Sequence, residues 1–235
     1  MKILAIDTAL GAVSACVYLS ATRAMLASES IAMTRGHAEA LLPLVDRVLS
    51  RLDGGAGALD RIAVTVGPGS FTGIRVGVAA ARAFALACGI PAVGVSTLSA
   101  LAAPLISEAE TGIVAAAVDA RHGQVYVAAY TAAGRMILTP RIAPVREAVR
   151  MLGSGAIRLA GSGAPLMAIE AWSLGLAAEV AGELIAPDIR YVAHLGALAE
   201  PADAPARPLY LKPPDARPQT AARIARDADA AAMPD

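Results

Sequence analysis

Aromatic residues are scarce in this sequence, and neither sign of charge is in excess. Only 3% of the 235 residues are Phe, Trp or Tyr, and 20 basic side chains balance 20 acidic ones. Hydrophobic residues nevertheless make up 56%, above the roughly 45–50% of an average globular domain. The balanced charge argues against a strongly basic nucleic-acid-binding protein. The excess apolar content, much of it alanine, predicts tight internal packing or burial against a partner.

Long uninterrupted apolar runs are also lacking. Arg82 interrupts the run at residues 76–90, so no clean stretch reaches the roughly 18 residues of a membrane span and we expect no membrane association. Asp7 limits the first apolar segment to residues 3–6, which is shorter than the roughly 7–15 residues of a signal-peptide core. We therefore expect a cytoplasmic, globular protein.

Cysteine and histidine are too few and too dispersed to suggest a metal centre. Cys16 and Cys88 are typical of buried thiols in a reducing cytoplasm, although the sequence also allows a disulfide between them. His37, His122 and His194 are far apart, so no pair has the four-residue spacing that places two imidazoles on one helix face. We expect His37, at the start of a helix, to cap it or to make a surface contact.

Hydrophobic periodicity and turn residues divide the first half of the chain into strands and helices. Strands are predicted at residues 3–7, 13–19, 25–31, 61–67 and 92–95. Helices are predicted at residues 37–52 and 72–88. A third helix, capped by Ser96 or Thr97, is predicted to end at about residue 105. Pro43 falls inside the first of these helices and should bend it or mark its first turns.

The second half of the chain begins with the same pattern as the first. Asp7 and Asp119 each end a strand-like run, and a glycine, a valine and a tyrosine follow both at matching offsets. These pairs are Gly11 with Gly123, Val13 with Val125, and Tyr18 with Tyr130. The repeat predicts that the chain starts the same β-hairpin twice. The alternative is that any two hairpins share a glycine turn and alternating valines, but an aspartate is a poor strand residue and so a particular choice.

Two halves that each begin with strand, aspartate, turn and strand resemble the actin and sugar kinase superfamily. The resemblance implies an α/β protein with the actin-like (ASKHA, RNase H-like) fold, in which two lobes are each built on a mixed sheet with flanking helices. The implied divisions are residues 1–107 as first lobe, with 188–212 packing back on it, 108–187 as a smaller second lobe, and 213–235 as a flexible tail.

In that superfamily the two turns bind nucleotide phosphates and the aspartates hold a hydrated metal. The resemblance therefore implies a degenerate nucleotide site at Asp7, Gly11, Asp119, Gly161 and Gly163. The site is degenerate because the first turn has one glycine and bulky side chains fill the second.

The segment TVGPGSFTGIRVG, at residues 65–77, resembles a phosphate-binding loop. It lacks the second glycine and the lysine of a Walker loop, and the third glycine of the dinucleotide fingerprint. We therefore interpret it as a structural loop, in which a glycine-proline-glycine turn precedes a hydroxyl cap from Ser70 or Thr72. We expect Gly73 and Gly77 to let another helix lie close. The predicted loop residues are Gly67, Pro68, Gly69, Ser70, Thr72 and Gly73.

Several motifs together resemble the bacterial TsaB family, also called YeaZ. They are Asp7-Thr8, Gly36-His37 before Leu42-Pro43, GPGSFTGIRVGVAAARAFAL, GVSTLSALA, VDARHGQVYVAAY and the closing PLYLK at residues 208–212. The resemblance implies a non-catalytic subunit, without a cofactor of its own, in the synthesis of threonylcarbamoyladenosine (t6A) beside the anticodon of tRNAs that read ANN codons.

The implied partners are a TsaD-type paralogue that transfers the threonylcarbamoyl group and a TsaE-type ATPase. The resemblance implies a heterodimer with the paralogue, a homodimer when the chain is alone, and tRNA reached through the complex. ATP or ADP and a metal ion are expected in the partner subunits.

The helix predicted at residues 72–88 carries two apolar stripes, one suited to the sheet and one of small residues that a partner helix can approach. We expect the partner interface to combine this helix with the preceding one. The expected residues are Leu41, Leu42, Val45, Leu49, Ile74, Arg75, Val76, Val78, Ala80 and Ala83. The alternative is a helix buried on both sides within its own subunit.

Two other functions remain open from the sequence. One is an independent actin-fold ATPase or small-molecule kinase. The other is a glycoprotease-like hydrolase, for which no nucleophile or metal pair is visible.

Overall fold

The first half of the chain forms a five-stranded mixed sheet. The computed structural model describes residues 1–181 and 185–212. The strands are β1 (Lys2–Asp7), β2 (Ala12–Leu19), β3 (Ala24–Ala32), β4 (Arg61–Gly67) and β5 (Ala92–Ser96), in the order β3-β2-β1-β4-β5. The pairs β1–β2 and β2–β3 are antiparallel, whereas β4 joins β1 in parallel and β5 joins β4 in parallel.

The second half repeats this sheet. Its strands are β6 (Ile113–Asp119), β7 (Gln124–Thr131), β8 (Met136–Pro144), β9 (Ile157–Ala160) and β10 (Ala178–Val180), in the order β8-β7-β6-β9-β10. The first two pairings are again antiparallel and the last two parallel. Asp7 and Asp119 end the corresponding strands β1 and β6, so the predicted duplication and the two-sheet actin-like fold are confirmed.

Six α-helices flank the sheets among the described residues. They are α1 (His37–Leu49), α2 (Phe71–Cys88), α3 (Thr97–Glu108), α4 (Val145–Met151), α5 (Ala164–Ser173) and α6 (Ile189–Leu198). Pro43 lies inside α1, and Gly89 ends α2 in the left-handed conformation with φ 66°. Ser96 precedes α3, but neither its hydroxyl nor that of Thr97 forms the predicted cap, and both are buried without a partner among the described residues.

The two faces of the first sheet are covered by different helices. Leu4 and Ile6 of β1 face the core beneath α1 and α2, whereas Ile3 and Ala5 face α6. The helix α6 follows the second sheet in sequence yet packs on the first. Arg61 fixes its end, because the guanidinium donates to the carbonyls of Gly196 and Ala199 at 2.9 and 2.7 Å.

The helix α3 connects the two sheets. Its Leu98, Leu101 and Leu105 pack with buried residues of β6 and β7. Ser99 and Tyr130 share a hydrogen bond of 2.8 Å between their hydroxyls. The cleft described below lies between the two lobes that this helix joins.

Among the described residues, α2 alone has the length and hydropathy of a membrane span. Arg82 interrupts the apolar sequence of α2. The inner face of this helix, which includes Ile74, Val78 and Ala81, is buried in the first-lobe core. Such a composition is weak evidence for a membrane, because a core helix passes the same test.

Candidate functional site: the cleft and the outer face of α2

A cleft of about 540 Å³ lies between the two lobes. The first lobe contributes the β1–β2 turn and the loop after β4, and the second lobe contributes the end of β6, the turn after it and the loop after β9. The lining residues are Leu10, Gly69, Ser70, Val118, Asp119, Ala120, Arg121, His122, Tyr126, Ser162 and Lys212. Of the five residues predicted for a degenerate nucleotide site, only Asp119 belongs to this lining.

Asp7 is sealed inside the first lobe. Its side chain is 0% exposed. One carboxylate oxygen, Oδ1, accepts hydrogen bonds from the Thr65 hydroxyl at 2.5 Å and from the Ala9 amide at 3.1 Å. The other, Oδ2, is buried with no partner among the described residues. Burial raises the pKa of Asp7 to about 6, although the bonds from Thr65 and Ala9 act in the opposite direction.

The loop after β4 lies directly on the β1–β2 turn. A Cβ atom at Gly69 would overlap the carbonyl oxygen of Ala9, and one at Gly73 would overlap that of Thr8. The Ser70 amide also donates to the Ala9 carbonyl at 2.7 Å. This loop contains a cis Gly67–Pro68 peptide bond. The glycines of the loop therefore permit contact with the turn and leave no space there for a phosphate.

This contact corrects the role predicted for Gly73 and Gly77. At Gly77, a Cβ atom would overlap the Thr8 hydroxyl oxygen, so both glycines admit the β1–β2 turn and not another helix. The predicted cap is confirmed, because the Ser70 hydroxyl accepts the Gly73 amide at 3.2 Å.

Two further groups of the first turn also bond within the chain. The Gly11 amide donates to the Ile185 carbonyl at 2.9 Å. The Leu10 carbonyl accepts a hydrogen bond from Nε2 of His37 at 3.0 Å. His37 is buried and Gly36 occupies the cap position of α1, so the expectation that His37 caps the helix or makes a surface contact is wrong.

The second turn is open to the cleft but filled with side chains. Asp119 is exposed; its amide donates to the Ser162 hydroxyl at 3.1 Å, and its Oδ1 accepts the Arg121 amide at 2.8 Å. Arg121 and His122 have left-handed backbones, with φ 66° and 54°, and both side chains line the cleft. These are the bulky groups that the sequence places there.

Gly161 and Gly163 hold the loop after β9 against β6. The Gly163 amide donates to the Ala117 carbonyl at 2.9 Å, and a Cβ at Gly161 would overlap that same oxygen. The two glycines are therefore used for backbone contact and are not part of the cleft lining.

The residues of this cleft do not fit a nucleotide-bound metal. Asp7 is enclosed by protein whereas Asp119 faces the cleft, so the two carboxylates do not share a common space. Across residues 1–181 and 185–212, no three His, Cys, Asp or Glu side chains come together in a way that could hold a metal ion.

The structure separates nine of the ten predicted interface residues into two groups, and the tenth, Arg75, is exposed near the start of α2. Leu41, Val45, Leu49, Ile74 and Val78 are buried in the first-lobe core, with exposed fractions from 0% to 9%. Their inclusion in a partner surface is wrong, because they form the sides of α1 and α2 that pack inside the lobe.

The outer side of the same two helices is uncovered. Leu42 is 58% exposed and Leu86, which the sequence prediction omitted, is 85% exposed. Ala79 and Ala83 are exposed, and Val76 and Ala80 are half-buried. We call these six residues, Leu42, Val76, Ala79, Ala80, Ala83 and Leu86, the α2 surface.

A second exposed cluster lies at the start of α2. The Arg75 guanidinium carbon is 3.6 Å from the centroid of the Phe71 ring, and Arg75 Nε donates to the Tyr210 hydroxyl at 2.8 Å. The two ring centroids are 5.5 Å apart. We call Phe71, Arg75 and Tyr210 the aromatic rim. Sequence reasoning assigned Arg75 to the partner interface and missed the cluster, because Tyr210 is distant in the chain. Only the rarity of aromatic residues could have drawn attention to it.

Comparisons with known proteins agree with this architecture. A family model described as TsaD, tRNA N6-adenosine threonylcarbamoyltransferase, matches residues 26–211. The tRNA threonylcarbamoyladenosine biosynthesis protein TsaB of Escherichia coli is 37% identical over 130 residues, which is 55% of each chain. The solved structure of YeaZ from Pseudomonas aeruginosa has 27% identity and a TM-score of 0.69, covering 89% of this chain and 99% of that one.

The chain belongs to the TsaB (YeaZ) family. The resemblance drawn from the sequence motifs is therefore confirmed. An uncharacterized protein of Mycobacterium tuberculosis is 36% identical over 223 residues, 92% of this chain and 94% of its own length. The similarity to the E. coli TsaB spans about half the length of that relative. TsaB family membership links the chain to tRNA threonylcarbamoyladenosine biosynthesis.

Proposed function

We propose that this chain is the non-catalytic partner subunit for N6-threonylcarbamoylation of the anticodon-adjacent adenosine in tRNAs that read ANN codons. It acts by forming a heterodimer with a TsaD-type transferase and by supporting a TsaE-type ATPase. ATP or ADP and a metal ion are held by those partners, and tRNA is engaged in the cytoplasm through the complex.

The observation that carries the non-catalytic part of this proposal is the closed β1–β2 turn. A nucleotide-binding turn presents free amides to phosphate. In this chain the Gly11 amide bonds to Ile185, Gly69 lies against the carbonyl of Ala9, and Asp7 is sealed. These contacts also argue against an independent ATPase or small-molecule kinase.

The α2 surface supports the pairing with a paralogue. Small side chains allow the backbones of two helices to approach closely, so the dispersion contacts between them are numerous. An exposed Leu86 beside Ala79 and Ala83 would lose apolar area to water on association. A paralogue with the same first-lobe fold offers a related pair of helices. The same surface provides the contact for a homodimer when the chain is alone.

The heterodimer is tested by co-expression with the TsaD-type paralogue of the same organism. Size-exclusion chromatography with light scattering should show a single complex that contains one copy of each protein. The homodimer of this chain should disappear as the paralogue is added. Continued elution of the two proteins as separate species, at concentrations well above 10 μM, would contradict the proposed pairing.

A further inference from the structure

The aromatic rim is built from side chains that the proposed function leaves unexplained. Phe71 is one of only two phenylalanines in the chain and Tyr210 is one of five tyrosines. Both are half-exposed, at 50% and 49%. Neither ring is used to fill the core, and their arrangement is fixed by Arg75, which contacts both.

The rim is anchored at both of its ends. Phe71 opens α2 next to its Ser70 cap, and the amide of Leu209, next to Tyr210, donates to the Val66 carbonyl of β4 at 2.7 Å. Phe71 and Arg75 are therefore held by the helix α2, and Tyr210 is held by its hydrogen bond with Arg75 and by the backbone contact of the neighbouring Leu209. Such preorganisation lowers the entropy lost when a flat ligand stacks on them.

The rim adjoins the cationic part of the cleft. Ser70 precedes Phe71 in the chain, Lys212 follows two residues after Tyr210, and both line the cleft. The lining includes the basic side chains Arg121 and Lys212, together with His122. Its one carboxylate is that of Asp119. The chain has a net charge of zero, whereas this lining carries two cationic side chains and one carboxylate.

We propose that the aromatic rim and the adjoining cleft bind single-stranded RNA, with bases stacking on Phe71, Arg75 or Tyr210 and phosphates meeting Arg121 and Lys212. Aromatic faces and guanidinium planes stack any exposed base, and lysine and arginine neutralise the backbone. Duplex RNA does not fit this chemistry, because its bases are already stacked on one another. The inference rests on the proposed function, which brings an anticodon loop to the complex.

The rim lies at the start of α2, and the α2 surface extends from Val76, next to Arg75, to Leu86. The rim lies in the first turns, beside the cleft, whereas Ala83 and Leu86 lie two and three turns further on. A partner centred on Ala83 and Leu86 would therefore lie two to three turns from Arg75. This separation allows the two ideas to be tested by different variants.

The test measures fluorescence anisotropy of a labelled, unstructured ten-nucleotide RNA with the full chain at 150 mM salt. Arg75→Gln and Tyr210→Leu should each weaken binding by about 5- to 150-fold, the range measured for loss of one base stack. Tyr210→Phe keeps the ring and should retain affinity within about twofold. Arg82→Gln is the matched control, since Arg82 is an exposed arginine of α2 outside the rim, and it should bind as the wild type does.

Three results would overturn the inference. The first is that the wild type shows no measurable RNA binding. The second is that Arg82→Gln loses as much RNA affinity as the rim variants do, which indicates diffuse charge attraction. The third is that a duplex or AMP binds as tightly as the single-stranded RNA. Thermal melts of all variants test whether they remain folded. Co-purification with the TsaD-type paralogue is measured on the same variants: pairing without rim-dependent RNA binding refutes only this inference, whereas rim-dependent binding without pairing refutes only the proposed function.

Discussion

Asp7 is a carboxyl group whose surroundings favour the protonated form. Burial raises its pKa from the ordinary value of 3.8 to about 6, and Oδ2 has no partner among the described residues. A raised pKa in the folded state means that the folded protein binds the proton more tightly than the unfolded chain does. The associated stability is therefore present below about pH 4 and is lost as the pH rises through 6.

We predict that Asp7→Asn flattens this pH dependence. In the wild type, the free energy of unfolding should fall by up to about 3 kcal/mol between pH 4 and pH 7, from a shift of this size. The asparagine keeps the acceptor for Thr65 and Ala9 but cannot ionise. Urea unfolding from pH 4 to 8 measures the difference, with the exposed Asp119→Asn as control. The same slope in Asp7→Asn and the wild type would contradict the account of Asp7.

Gly73 is the residue at which the loop and the β1–β2 turn come closest. We predict that Gly73→Ala destabilises the fold by about 1–3 kcal/mol, because the added methyl overlaps the Thr8 carbonyl oxygen and forces the turn away. Gly57→Ala is the control, since nothing lies within 4 Å of a Cβ at that position. Chemical denaturation checks both, and a stability of Gly73→Ala equal to that of the control would show that the turn and loop are not in close contact.

The sequence distinguished some of these residues but not their surroundings. Matching offsets after Asp7 and Asp119 predicted two equivalent hairpins, and the structure has them. The offsets could not show that one aspartate is sealed and the other exposed. That difference depends on contacts of Gly69, Gly73 and Ile185 with the first turn, and these pair residues far apart in the chain.

The helix α2 packs one side on its own lobe and leaves the other side exposed, where we propose that the partner binds. We predict that Ala83→Arg weakens the heterodimer at least about tenfold, because a long charged side chain separates two closely packed helices. Ile169→Arg is the control, since Ile169 is 63% exposed on α5 of the other lobe. Calorimetric titration with the TsaD-type paralogue compares the two. Equal affinities for both variants would place the partner elsewhere.

Elements with strong periodicity were predictable from the sequence, whereas short ones were not. The helix α2 was expected at 72–88 and is found at Phe71–Cys88. The expected interface, however, included Leu41 and Val78, which pack inside the lobe, because periodicity identifies two apolar stripes without showing which one faces the sheet. The strands β9 and β10 have only 4 and 3 residues, too few for a periodic pattern to be recognised.

At the level of the whole chain, the closed first turn predicts weak nucleotide binding by the isolated protein. Isothermal titration with magnesium and ATP should show no binding with a Kd below about 1 mM. That Kd corresponds to a binding free energy of roughly −4 kcal/mol. The TsaD-type paralogue, titrated in the same way, is the positive control. Tight, stoichiometric binding by this chain alone would support an independent ATPase or kinase.

The paired lobes of this chain retain the actin-like architecture while the groups of the first turn are used for internal contacts. The outer side of α2 is left uncovered, and the second lobe keeps an open, basic turn at Arg121. We infer that such a molecule contributes surfaces to a complex and leaves the chemistry to its partners.

The most direct test is t6A formation on an ANN-reading tRNA transcript in a reconstituted system. The reaction contains threonylcarbamoyl adenylate, the TsaD-type paralogue, the TsaE-type ATPase and ATP, with or without this chain. Mass spectrometry of the digested tRNA measures the product. We predict that modification requires this chain and that the chain alone forms none. Equal modification without the chain would contradict the proposed role.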